Sequence, residues 1–349
     1  MSQFHSLRVQ EVRRETPSSV SILFEVPANV KSDFNFKAGQ YITIRHTIQG
    51  EEVRRAYSIC STPHSGNLRV AVKEVADGTF SKYANNELKA GDFLDVMLPD
   101  GRFIFEPSTA SKNIAAFAAG SGITPILSIV KSVLEKEAES NFVLVYGNKS
   151  PEETIFLHEL QRLQEQFSDR FFLHLIYSKA NEENALKGRI EGSTVNYVLK
   201  NKHVAFAFDA FYLCGPEPMI NTVSDKLKEN NIAEEKIFFE LFTESTDIET
   251  IEVAEDGMAH VTVLVDDEET SFTMEQTKTI LEVALDHDVD APYSCQGGVC
   301  SSCIGRITEG KAEMRQNNIL TDSEVAEGLI LTCQAQPTTA VVKVDYDDV

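Results

Sequence analysis

The sequence predicts a multidomain chain: an antiparallel β-barrel, then a doubly wound α/β domain, then a small C-terminal domain mixing strands with one short helix. Three observations carry this expectation. At 349 residues the chain is too long for one ordinary hydrophobic core. Residues 1–108 are dense in short alternating segments and turns, whereas strand-like and helical runs alternate from 109 to 243. The stretch 244–257 then changes composition abruptly: TESTDIETIEVAEDG, from 243 to 257, has six acidic residues and no basic ones, and reads as an exposed linker to a final domain at 258–349.

Composition bounds the class. Hydrophobic residues at 42% and charged residues at 25% describe a soluble globular protein. No apolar run has the length of a membrane span, and the polar opening MSQFHSLRVQ lacks a signal-peptide core, so a cytoplasmic location is expected. The net charge of −22 is uneven: residues 244–349 hold 23 Asp and Glu against 5 Lys and Arg. That field argues against nucleic acid and anionic membrane as partners. It suits a protein carrying a basic patch, although a solvated acidic surface explains it equally well.

In the first region, the strand-like GQYITIRHTI and NLRVAVKEV flank RRAYSICS, and LPDGRFIF (98–105) reads as the strand that closes the barrel, with Gly101 at a turn. In the second, KNIAAFAAGSGITPILSIVKSVLEKE reads as a buried strand ending at Gly120, Ser121 and Gly122. Thr124 is expected to cap a helix that begins at Pro125. Such a turn presents backbone N–H groups to a pyrophosphate. NFVLVYGNK, RFFLHLIYS, AFYLCGPEP and KIFFELF supply further strands, with the last read as buried and at least one of its phenylalanines as core. In the third, AHVTVLVDDEETSFTME reads as two strands around an acidic turn and TILEVALDHD as a short helix.

The cysteines carry the most specific chemistry. CQGGVCSSC places Cys295, Cys300 and Cys303 on one loop, and Cys333 follows after 29 intervening residues in the strand-like GLILTCQAQ. Zinc sites take separated pairs of ligands, and disulfides lack support in a chain with no secretory signal. The spacing C-x4-C-x2-C…C is that of plant-type [2Fe–2S] sites. Gly297, Gly298, Ser301 and Ser302 are small enough for the backbone to wrap closely around buried sulfur. With strand, strand, helix, loop and strands in this order, the last domain resembles a β-grasp plant-type ferredoxin.

A second resemblance covers the first two domains. Arg55-Ala56-Tyr57-Ser58, Gly78-Thr79-Phe80-Ser81 and Cys214-Gly215-Pro216 match motifs of the ferredoxin–NADP reductase superfamily. The resemblance implies a flavin barrel in which Arg55 pairs with pyrophosphate, Tyr57 packs on the isoalloxazine and Ser58 approaches its reactive nitrogen. Lys73 precedes the Gly78–Ser81 segment, whose amides and hydroxyl hold the flavin phosphates. FAD is the implied flavin, with FMN the alternative, since no adenine contact is evident in the sequence. Gly120, Ser121, Gly122, Thr124, Pro125, Tyr146, Gly147, Cys214, Gly215 and Pro216 are implied to line the pyridine nucleotide, and Glu240 to stand over flavin or nicotinamide. Ser178, Lys179 and Arg189 favour NADPH, with NADH kept open by Glu182 and Glu183.

Together these features resemble the reductase components of bacterial multicomponent oxygenases, of the phenylacetyl-CoA epoxidase and steroid-hydroxylase types. They imply a monomeric NAD(P)H oxidoreductase that feeds an oxygenase component or another one-electron protein acceptor. A redox sensor with a decayed flavin site is the alternative.

Overall fold

The computed structural model describes residues 4–242 and 257–349. Most of the acidic stretch expected to be a linker lies outside them. The chain forms two compact units, one of His5–Val53 with Tyr57–Phe242, the other of the C-terminal residues together with Phe4 and Arg54–Ala56.

The first unit opens with β1 (Phe4–Thr16), β2 (Ser19–Glu25), β3 (Tyr41–Ile48), β4 (Glu51–Ser58), β5 (Leu68–Lys73), helix α1 (Thr79–Asn86) and β6 (Phe93–Met97). These strands make one six-stranded sheet in the order β4-β3-β6-β1-β2-β5, and an isolated bridge from Ile59 to Val70 joins its two ends into a curl. Alternation drives the closure, because one face of each strand must leave water: Leu7, Val9, Ile22, Ile42, Ile44, Val70, Val72, Leu94 and Val96 fill the interior. The segment 98–105 departs from the expected closing strand. It makes only isolated bridges, Tyr41 to Asp100 and Ala38 to Phe105, while Phe103 and Phe105 anchor it in the neighbouring core. Its alternation reflects which side chains are buried and not a ladder.

The same unit continues through β7 (Asn113–Ala119), α2 (Ile123–Lys136), β8 (Asn141–Asn148), α3 (Leu157–Gln166), β9 (Phe171–Tyr177), β10 (Leu186–Lys187), α4 (Gly192–Asn196), β11 (Ala210–Cys214), α5 (Glu217–Glu229) and β12 (Ile237–Glu240). All six strands run parallel in the order β10-β9-β8-β7-β11-β12. The chain therefore reverses its direction of growth between β7 and β11, the switch point at which such sheets bind ligands beyond their carboxyl ends. Near-continuous apolar strands follow from burial on both faces: Ile114 to Ala118 and Phe142 to Tyr146 are buried throughout.

Helix α2 begins earlier than expected. Gly120–Gly122 form a 3-10 turn that runs straight into the helix, leaving no extended residue for a hydroxyl to cap. Thr124 sits within the first turn instead, donating its hydroxyl to the Ser121 carbonyl at 3.0 Å.

The second unit contains β13 (Met258–Val265), β14 (Glu268–Glu275), α6 (Ile280–Asp286), β15 (Ile304–Glu309), β16 (Ala312–Met314), α7 (Asp322–Ala326), β17 (Leu329–Leu331), β18 (Ala335–Pro337) and β19 (Val341–Asp345). The main sheet runs β14-β13-β19-β15-β17, with β13 parallel to β19 and the other pairs antiparallel. Asp266 and Asp267 both take positive φ at the β13–β14 turn, as a tight hairpin requires. Thr279 caps α6 by accepting a hydrogen bond from the Glu282 amide, and Ile280, Leu281, Val283 and Ala284 pack into the core. Cys333 is not inside a continuous strand: β17 and β18 stop on either side of Thr332–Gln334.

Candidate redox sites

The four cysteines lie in two pairs. Cys295 hydrogen-bonds with Cys300, and Cys303 with Cys333. In each pair one thiol is shifted down and its partner up by that shared hydrogen bond: Cys295 and Cys333 fall, Cys300 and Cys303 rise. Cys300, Cys303 and Cys333 are buried. Two thiol pairs suit two irons with two protein ligands each better than one tetrahedral ion.

The backbone around them is shaped by need. Gln296 and Gly298 take positive φ, and a Cβ on Gly298 would come 3.0 Å from the Gln334 side chain. The Gly297 amide lies 3.3 Å from the Cys295 sulfur, which the Val299 amide also serves, while the Ser302 amide serves Cys300 and the Gly298 amide serves Cys333. Thr332 ties the distant strand to the loop, its amide and hydroxyl donating to the Cys303 carbonyl at 3.0 and 2.9 Å. Ser294, directly before Cys295, has its hydroxyl buried without a protein partner, as expected where a further acceptor belongs. The residues present fit a [2Fe–2S] cluster.

In the first unit, the expected nucleotide residues converge on the switch point. Gly122 packs against the end of β11 so closely that a Cβ there would meet the Cys214 carbonyl oxygen at 2.1 Å, and one on Gly215 would come 3.1 Å from the Ala119 Cβ. Glycine is required at both places for the two strand ends to approach. Tyr146 is fully buried beneath them and donates its hydroxyl to the Gly120 carbonyl at 2.9 Å. Thr124, Pro125, Tyr146 and Cys214 thus back the turn and do not front it. Burial also holds the Cys214 thiol far above its usual range, which removes it as a nucleophile. Gly120, Ser121 and Pro216 remain partly or fully accessible.

Lys73, at the end of β5, reaches this turn: its Nζ lies 3.6 Å from where a Gly120 Cβ would stand. Burial and the nearby Lys149 push its pKa down. Lys149 carries no signal in the sequence, because only the fold brings it beside Lys73. Ser178 and Lys179 are exposed just past β9, and Arg189 follows β10, whose neighbour Gly188 donates its amide to the Tyr177 carbonyl at 2.9 Å. All three therefore stand at one corner of the sheet.

At the flavin segments, Gly78 precedes α1 with no side chain capping the helix, and a Cβ at Gly78 would strike Ser81 Oγ at 2.2 Å. Ser81 Oγ accepts from the Val75 amide at 3.2 Å, folding the loop over the helix start and leaving the first-turn amides for an anion. This fits a diphosphate. Arg55 is exposed on β4, and the Tyr57 ring lies 5.5 Å from Phe80. Ser58 and Glu240 are buried together, with Ser58 Oγ donating to Glu240 Oε2 at 3.0 Å. Phe238, Phe239 and Phe242 around Glu240 are more than a third exposed, against the expectation of core. Phe238 stacks on Tyr212, and an edge strand leaves the others at the surface.

A curled antiparallel sheet, a parallel nucleotide-type sheet and a β-grasp domain with paired thiols define a modular flavin and iron–sulfur oxidoreductase. Family comparison agrees segment by segment: residues 6–105 match the oxidoreductase FAD-binding domain, 117–225 the oxidoreductase NAD-binding domain, and 263–338 the 2Fe-2S iron-sulfur cluster binding domain. The chain is 36% identical over 352 residues to one of the subunits of 1,2-phenylacetyl-CoA epoxidase from Escherichia coli (strain K12), covering 99% of both chains. It is 31% identical to the ferredoxin reductase component of 3-ketosteroid-9-alpha-monooxygenase from Rhodococcus rhodochrous, covering 97% of this chain and 96% of that one. Among solved structures it resembles phthalate dioxygenase reductase, described as a modular structure for electron transfer from pyridine nucleotides to [2Fe-2S], with a TM-score of 0.62, 25% identity and 98% coverage of both chains. The chain belongs to this family of FAD- and [2Fe-2S]-dependent, ferredoxin-reductase-type oxidoreductases that serve as oxygenase reductase components. No helix among the described residues is long and apolar enough to cross a membrane.

Proposed function

We propose that this chain takes reducing equivalents from NADPH and delivers them singly to the oxygenase component of a phenylacetyl-CoA epoxidase type of system. It would act in the cytoplasm, as a monomer, with a flavin domain at 1–108, a nucleotide domain at 109–243, a linker at 244–257 and a cluster domain at 258–349. FAD held by Arg55, Tyr57 and the Gly78–Ser81 segment would supply the chemistry that splits a two-electron equivalent into single electrons, and a [2Fe–2S] cluster would supply a one-electron carrier.

The observation that carries this reading is the switch point between β7 and β11, where Gly122 and Cys214–Gly215 meet backbone to backbone. There the Gly120–Gly122 turn and Lys73 receive the nucleotide pyrophosphate, and Ser178, Lys179 and Arg189 receive the ribose phosphate. Arg55 and the Gly78–Ser81 segment hold the flavin diphosphate, and the Tyr57 ring packs on the flavin plane. Glu240, by accepting the Ser58 hydroxyl hydrogen, keeps that side chain in one orientation beside the reacting ring. Cys295, Cys300, Cys303 and Cys333 hold the cluster. The acidic C-terminal region suits an acceptor with a basic docking face.

The test is a steady-state assay of the purified full chain with an artificial acceptor. Turnover with NADPH, and slower turnover with NADH, is the expected result. No reduction of the acceptor with either nucleotide refutes the proposal.

A further inference from the structure

Beside the cysteine loop stands a buried carboxamide to which none of the roles above belongs. Gln334 follows Cys333 in the turn between β17 and β18 and is 7% exposed. Its backbone is fixed from both sides: the amide donates to the Leu331 carbonyl at 2.8 Å, and the carbonyl accepts from the Arg315 amide at 3.0 Å. The side chain turns back over the loop, where Nε2 lies 3.1 Å from the Gln296 carbonyl oxygen and 3.7 Å from the Cys333 sulfur. Gly298 makes room for it, since a Cβ there would come 3.0 Å from Gln334 Cγ.

These contacts fix which end of the carboxamide faces the sulfur. The Gln296 carbonyl can only accept, so the nitrogen and not the oxygen must point at it, and the second N–H of that nitrogen is left for Cys333. The Cys333 thiol is held low first by its hydrogen bond with Cys303 and then, against burial, by the Gly298 amide and this carboxamide. A thiolate on iron is the same acceptor with more charge. Reduction of a [2Fe–2S] cluster adds one negative charge to a group that its sulfurs already make anionic. A donor aimed at a ligand sulfur therefore stabilises the reduced form more than the oxidised one.

We propose that Gln334 tunes the cluster: its carboxamide, locked in place by the Gln296 carbonyl, donates to the Cys333 sulfur and raises the reduction potential, which favours passage of an electron from flavin to cluster. This rests on the reading that the four cysteines hold a [2Fe–2S] cluster. Gln334 acts through Cys333 and is a positioning residue.

The test is a redox titration of the reconstituted full chain for the wild type, Gln334→Met and Gln334→Leu, with the cluster followed by electron paramagnetic resonance and the flavin by visible absorbance in the same sample. Both replacements fill a similar volume without a donor. One neutral hydrogen bond is worth a factor of about three to ten. At a fixed potential the ratio of reduced to oxidised cluster should fall by that factor in both variants, a midpoint lowered by about 30–60 mV at 59 mV per tenfold for one electron, with the flavin midpoint unchanged. The sign separates tuning from loosening, because a loop that merely opened to water would favour the more charged, reduced form and raise the midpoint. A midpoint unchanged or raised in either variant that retains its cluster overturns the proposal. Loss of iron from both variants with flavin retained also overturns it, since Gln334 would then be a requirement of assembly. A wild-type chain that shows no iron–sulfur signal overturns the underlying cluster reading instead.

Discussion

Ser58 and Glu240 stand 182 residues apart in the chain, yet the serine hydroxyl donates a 3.0 Å hydrogen bond to the glutamate carboxylate, and both side chains are buried. One comes from the barrel strand carrying the flavin motif, the other from the last strand of the parallel sheet. Replacing Glu240 by Ala removes the acceptor and frees the Ser58 rotamer. A hydrogen bond to a charged group contributes about 1.5–3 kcal/mol, so flavin reduction should slow by roughly tenfold to a hundredfold with flavin retained. Stopped-flow absorbance under anaerobic conditions measures this directly.

Gly122 offers a steric test. An alanine there would place its Cβ 2.1 Å from the Cys214 carbonyl oxygen, so a strand end must move. The expected cost is about 1–3 kcal/mol or more, seen as a melting temperature lowered by several degrees together with a raised KM for the nucleotide. Thermal unfolding and steady-state kinetics on Gly122→Ala check both effects.

The thiol pairs predict a separation of activities. Cys300→Ser should abolish the iron–sulfur signal while flavin binding and reduction of a two-electron dye persist within about twofold. Transfer to a one-electron protein acceptor should fall by more than about tenfold. Assaying the two acceptors side by side measures the split, and equal loss toward both would contradict the order of transfer.

A histidine pair predicts a pH dependence of stability. His174 Nε2 and His203 Nε2 lie 2.8 Å apart, and burial, followed by the charges of His203 and Lys202, lowers the His174 pKa to about 4. His203 is lowered by burial and Lys202. Unfolding restores ordinary imidazoles that bind more protons than the folded pair between about pH 6.5 and 4. Stability is therefore complete above about pH 6.5 and falls, by roughly 1–3 kcal/mol, as pH drops toward 4. Urea midpoints at pH 7 and pH 5 should differ in the wild type and differ less in His174→Phe.

The parts of the molecule legible in the sequence are those whose chemistry is local. Cysteine spacing points to a cluster loop, because the first three proposed ligands share one turn of chain. The glycine turn at 120–122 is legible for the same reason. Its consequences for α2 are not: Thr124 resembles a cap only when the 3-10 turn that feeds the helix is unknown. The segment 98–105 alternates like a strand because Phe103 and Phe105 are buried, although it has only isolated bridge partners. At least one phenylalanine of FFELF reads as core by composition, yet Phe238 and Phe239 on the edge strand, and Phe242 just past it, are all exposed. Contacts across long separations, such as Ser58 with Glu240 or His46 with Tyr83, have no sequence period to betray them.

The most direct measurement is an anaerobic titration of the purified, reconstituted protein with NADPH, followed by visible absorbance and electron paramagnetic resonance, alongside iron and sulfide analysis. Electron transfer from nucleotide through flavin to the thiol-held cluster predicts bleaching of a flavin spectrum, a paramagnetic signal from a reduced [2Fe–2S] cluster, and about two irons and two labile sulfides per chain. Protein that carries flavin yet shows no iron–sulfur signal on reduction, or that leaves the flavin oxidised under excess NADPH and NADH, would contradict it.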